Sequence, residues 1–225
     1  LILTLIILVK TFFEKFPQQK TIGSEKEILA NIKILLTNRK YLALTLIYST
    51  FVSSKYVFSI VIPFLLIRHY HYPAHIYALT MLPSYAAAIL ASAVCMKLCK
   101  LVSRRVFFGI AYFVFFLCIA LLFIGYYYSL PILVITATCT GLYYFSQTMI
   151  YTYTNGLTVD LFPKKLASAI SLLGFINCCL SLIVALIASN ISSNSTYSIA
   201  LFLAVLFGIA LVALFWMNPS NQKTA

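Results

Sequence analysis

Acidic residues are almost missing from this chain: four Asp and Glu stand against sixteen Lys and Arg in 225 residues. Charged residues of both signs reach only 9%, where soluble proteins carry about 25%. With so few charges a folded domain cannot cover its exterior against water. Soluble enzymes, coiled coils and disordered chains are excluded on that ground. The cysteines add no chemistry. None forms a CxxC pair, and Cys95, Cys99, Cys118, Cys139, Cys178 and Cys179 all fall in apolar stretches, where a thiol behaves as a small hydrophobe. What the chain has instead is apolar surface. Hydrophobic residues make up 63%, against roughly 45–50% in soluble proteins, and the mean hydropathy is +1.01. Its solvent is lipid.

Six segments are long enough to span a bilayer: Tyr41–Ile67, Ile76–Leu98, Val106–Tyr127, Pro131–Tyr153, Leu166–Ser189 and Ile199–Met217. They are apolar on both parities, so they are helices rather than barrel strands. The sequence thus predicts an all-α polytopic bundle over 41–217, with a tail at 218–225. Residues 1–13 are apolar but too few to cross about 30 Å of hydrocarbon at about 1.5 Å per residue. No basic region precedes them, so they read as the end of a truncated helix rather than a signal peptide.

An excess of Lys and Arg in a soluble domain points to nucleic acid. In a membrane chain it marks the cytoplasmic connections. Seven basic residues from Lys10 to Lys40 precede the first span, and Lys97, Lys100, Arg104 and Arg105 lie between the second and third. Lys164 and Lys165 lie between the fourth and fifth, and Lys223 follows the sixth. The other three connections hold only Arg68. Fourteen against one places both ends of the six-helix unit in the cytoplasm, and nucleic acid is not an expected partner. Within the basic linker 14–40, Ser24 and Glu27 have the spacing of a capping box. Ile28, Leu29, Ile32, Leu35 and Leu36 then recur at helical spacing, which predicts an amphipathic helix along the bilayer surface.

Polar residues inside the spans carry the functional signal. Lys55 lies near the middle of the first span, where an ammonium costs about 2.5–3.5 kcal/mol on insertion scales. Too far from either end to snorkel out, it must face water or a partner. Tyr41, Thr45, Tyr48, Lys55 and Ser59 share one face of that helix. The fourth span carries a matching stripe: Thr136, Thr140, Tyr144, Gln147, Tyr151 and Asn155. Two striped helices among unstriped ones suit the walls of one aqueous path, although Tyr and Thr stripes also serve helix–helix hydrogen bonds. The candidate cavity residues are Lys55, Tyr48, Ser59, Tyr144, Gln147, Tyr151 and Asn155.

Other features read as structural. Small residues at Ala167, Ser171, Gly174, Cys178, Ser181 and Ala185 mark a packing seam on the fifth span, as Ser84, Ala88 and Ser92 do on the second. Pro63 and Pro83 should kink their helices. His69, His71 and His75 form an HxHxxxH cluster with no acid or cysteine beside it, and flanking tyrosines explain it as an interfacial segment. No metal or cofactor is expected. Two Asn-x-Ser/Thr sequons begin at Asn190 and Asn194 in an outward loop, and Asp160 reads as a loop carboxylate rather than a buried proton carrier.

This arrangement resembles the C-terminal half of a major facilitator superfamily transporter. Leu35-Leu36-Thr37-Asn38-Arg39-Lys40-Tyr41 resembles the entry to helix seven in the bacterial branch typified by bicyclomycin resistance proteins. Leu161-Phe162-Pro163 with Ala167-Ser168-Ala169-Ile170-Ser171-Leu172-Leu173-Gly174 resembles that branch's entry to helix eleven. Lys97-Leu98 through Arg104-Arg105 resembles the family's basic loop between helices eight and nine, without the Gly and Asp of the full motif. The resemblance implies that the first and fourth spans are helices seven and ten, which line the family's central path. It implies proton-coupled efflux of drugs or amphiphilic compounds by alternating access in a bacterial inner membrane. It implies as partners the bilayer, a small-molecule substrate, protons and a missing N-terminal six-helix half. Since that half holds the branch's proton-coupling residues, no proton carrier is named here. A metabolite importer of the same superfamily is the nearest alternative; a membrane scaffold and a histidine-cluster enzyme are weaker ones.

Overall fold

The computed structural model describes residues 25–128, 130–191 and 196–217. The expectations for 1–13, Ser24 and 218–225 lie outside them. Every regular element among the described residues is helical. α1 is Glu25–Thr37, ending where Asn38 turns extended and its side chain accepts from the Lys40 and Tyr41 N–H groups at 3.0 and 3.1 Å. Asn is favoured at such a cap because it satisfies otherwise orphaned donors. Of the predicted amphipathic face, Leu35 is fully buried, on Tyr41, Tyr48, Val52, Ala169 and Leu173, whereas Leu36 stays exposed.

The first span is α2, Arg39–Ser53, and α3, Lys55–Phe64, continued by a π-turn at Leu65–His69. The second is divided at Met81 into α4, Ala74–Thr80, and α5, Leu82–Leu101. Pro83 in the first turn of α5 lacks the N–H a continuous helix would need. Then follow α6, Arg104–Tyr127; α7, Ile132–Leu161; α8, Leu166–Asn190; and α9, Thr196–Trp216. Five of the six spans are both long and apolar enough to cross a bilayer. The other, α7, is the longest helix at 30 residues, and its Thr, Tyr and Gln stripe makes it less apolar.

The first span packs on α7, α8 and α9; α7 packs on α5, α6 and the first span; α6 meets α9. Exchanging the first three spans for the last three maps this pattern onto itself. The first span and α7 are therefore the equivalent central members. Around them Phe51 packs on Phe115 at 4.9 Å and Tyr112 at 5.1 Å, and Phe115 on Phe207 at 5.6 Å, joining the first, third and sixth spans. Tyrosine and serine hydroxyls in the interior donate to backbone carbonyls of other helices: Tyr112 to Ala210 and Ser146 to Ala111, each at 2.7 Å. In lipid an unpaired hydroxyl has no water to fall back on. Arg39 lies 5.3 Å from the Trp216 ring centroid, so the start of the first span and the end of the sixth share one level.

The expected seam on the fifth span is displaced. The buried face of α8 is Ala169, Leu173, Ser181, Val184 and Ala188, whereas Ala167, Ser171 and Cys178 are exposed. A Cβ on Gly174 would meet nothing within 4 Å. On the second span Ser84 is buried as expected but Ser92 is exposed. There the close approach is made from α7: a Cβ on Gly141 would sit 3.8 Å from the Pro83 carbonyl oxygen and 4.0 Å from the Ala87 Cβ. Gly141→Ala is therefore expected to be tolerated. Gly141→Leu overpacks the contact and is expected to cost about 1–3 kcal/mol, read as a lower thermal midpoint in detergent.

Candidate functional site

The first span and α7 run antiparallel, and two contacts set their register. The Tyr48 and Tyr151 ring centroids are 5.6 Å apart, and the Phe58 and Tyr143 rings stack at 4.6 Å. Lys55 and Gln147 fall between these pairs, at the same level on facing helices. Both are half-buried. Lys55 is sixteen residues from the start of the span Arg39–His69 and fourteen from its end, about 20 Å from either at 1.5 Å per residue.

A break in the helix sets the direction of Lys55. Ser54 interrupts the ladder between α2 and α3; its hydroxyl donates back to the Thr50 carbonyl at 2.7 Å, while the Val57 N–H reaches only the Ser54 carbonyl at 3.1 Å. The cause is Tyr143. Its hydroxyl donates at 2.7 Å to the Phe51 carbonyl, the acceptor that the Lys55 N–H takes in a continuous helix. A phenol thus stands inside the hydrogen-bond ladder, one of the recognised origins of a kink. The Tyr143 ring is fully buried, stacked on Phe58 at 4.6 Å and packed against Phe115 at 5.9 Å.

The Lys55 ammonium lies 5.1 Å from the ring centroid of neighbouring Tyr56. Asp160 lies in the last turn of α7, exposed and thirteen residues from Gln147, about 20 Å along the helix. The remaining predicted residues divide. Tyr48 is buried beneath Tyr151, which is 46% exposed; Tyr144 and Asn155 are half-buried and Ser59 is exposed. The Asn155 amide donates to the Tyr151 carbonyl of its own helix at 3.0 Å. Thr136 and Thr140, which continue the stripe, are buried and donate to carbonyls one turn back, at 2.8 Å each, so that end of the stripe is structural.

Three neighbours escaped the sequence reading. Tyr143 adjoins the stripe without belonging to its period. Tyr85 of α5 approaches Tyr144 at 6.3 Å, and Asn177 of α8 keeps a buried amide oxygen without a partner. The only sequence hint of the break is the serine pair immediately before Lys55. Among the described residues no three His, Cys, Asp or Glu side chains gather as a metal site. His69 packs edge-on against Tyr70 at 5.0 Å, and His71 adopts φ 54° to close the turn after the π segment.

The family model for the Major Facilitator Superfamily matches residues 44–225. This chain belongs to the major facilitator superfamily. Membership makes it a multi-pass membrane protein of secondary transport. No curated protein and no solved structure matches it. A major facilitator chain with two central, polar-faced helices in contact has the elements from which a translocation path is built.

Proposed function

We propose that this chain is the second six-span half of an antiporter that expels amphiphilic compounds in exchange for protons by alternating access, as the bicyclomycin-resistance-type proteins do. Its home is a bacterial inner membrane, with both ends of the six-span unit in the cytoplasm. One observation carries the reading: the level of Lys55 and Gln147, at mid-span, where the two central helices of an internally repeated bundle are joined by the Tyr48–Tyr151 contact on one side and the Phe58–Tyr143 stack on the other. Secondary transporters place their sites near the midplane between repeats. The open small-residue face of α8 supports the half-bundle reading, since small residues let another helix approach closely.

The test uses energised everted vesicles holding the chain together with a six-span first half. Accumulation of an amphiphilic dye that collapses with a protonophore is the expected result. Proton-driven accumulation by vesicles holding the 225-residue chain alone contradicts the half-bundle reading. Lys55 also favours a second reading, import of an anionic nutrient. Cellular uptake of such a nutrient, lost in Lys55→Met, would select it.

A further inference from the structure

Resting on the transporter reading above, we infer that the compound carried at this face bears an anionic group, held at the level of Lys55 and Gln147 with its apolar body against the tyrosines. Lys55 is the one cation in the middle of a span; the other basic residues cluster in the connections and at helix ends. Its ammonium lies 5.1 Å from the Tyr56 ring centroid, no carboxylate pairs with it among the described residues, and the one acid on the six spans, Asp160, lies at the far end of α7. The positive charge at the midplane is thus uncompensated among the described residues. A cationic cargo would meet repulsion there with nothing to offset it. A neutral one would gain only a hydrogen bond or a cation–π contact from the ammonium, weaker than a charge pair. An anion gains a Coulomb attraction larger than in bulk water, because Lys55 is half-buried beside protein of lower dielectric.

The flanking groups agree with that assignment. The Gln147 amide opposite carries donors for an anionic oxygen. Tyr48 with Tyr151 on one side, and Tyr144 with Tyr85 on the other, offer aromatic walls with hydroxyl tips. An amphiphilic carboxylate or sulfonate with an aromatic body fits the set.

The experiment compares 2-naphthoate with its neutral isostere 2-naphthamide, binding to the full chain in lipid nanodiscs by calorimetry. Naphthoate is expected to bind about tenfold more tightly or better, as for a charge-assisted hydrogen bond. Lys55→Met should erase the preference by weakening naphthoate, and Lys55→Arg should keep it. Equal affinities, no binding of either compound, or a preference that survives Lys55→Met would overturn the assignment. A water-soluble amine-acetylating reagent, with mass spectrometry of Lys55 against exposed Lys164, separates this failure from that of the transport reading. Acetylation of Lys55 that naphthoate suppresses supports the anion site. Acetylation that naphthoate leaves untouched refutes the anion site but keeps a wet face. A Lys55 that resists the reagent refutes both.

Discussion

Lys55→Met is expected to make the protein more stable and to end its transport. An ammonium at mid-span costs about 2.5–3.5 kcal/mol on insertion scales; a half-buried Lys55 facing confined water incurs part of that, and a methionine of similar length incurs none. The gain should appear as a higher unfolding midpoint in detergent or nanodiscs. Flux of cargo in the assembled transporter should fall to background in the same variant. A gain in stability set against a loss of function is the signature of a residue kept for its task rather than for the fold. Loss of stability in Lys55→Met would mean that the ammonium is paired, and the open-face account would then be wrong.

Tyr143→Phe is expected to act in the opposite direction. Its hydroxyl donates to the Phe51 carbonyl in a fully buried place, holding the acceptor that the Lys55 N–H would otherwise take. Removing it strands the Phe51 carbonyl in an apolar interior, at a cost of about 1–3 kcal/mol for an unsatisfied buried group. The chain can escape part of that cost by closing the Phe51–Lys55 ladder bond directly. Straightening the helix in this way would alter the direction of Lys55. Tyr143→Phe should therefore lower the unfolding midpoint and also reduce acetylation of Lys55, although Tyr143 lies on another helix. Tyr143→Ala adds the loss of a packed aromatic ring, about 3–5 kcal/mol in all. A Tyr143→Phe protein with unchanged stability and unchanged Lys55 reactivity would show that the phenol does not hold the break.

The fold was largely legible because lipid imposes one rule on every span, and the placement of Lys and Arg in the connections punctuates them. Tyr48, Lys55 and Ser59 recur with the helical period, as do Tyr144, Gln147 and Tyr151, and the structure places Tyr48 against Tyr151. Periodicity identifies a face but not what it meets. The small residues of α8 formed a clear stripe, yet Ala167, Ser171 and Cys178 are exposed and only Ser181 is buried. Thr136 and Thr140 matched the polar period although each is satisfied by its own helix. The break at Ser54 was hidden for a different reason. No proline marks it, and its cause is a hydroxyl 92 residues away in sequence. A local pattern carries no trace of such a contact.

The central claim is that the Lys55–Gln147 face is wet while equally accessible faces elsewhere are in lipid. Single cysteines at Gln147 and at Phe113, which is 64% exposed on the outer side of α6, test it most directly. The background replaces the exposed Cys99, Cys178 and Cys179 by serine. With a charged, water-soluble thiol reagent on the protein in nanodiscs, the account predicts rapid labelling at position 147 and none at 113. Equal labelling at both positions, or protection of 147 with reaction at 113, would contradict it.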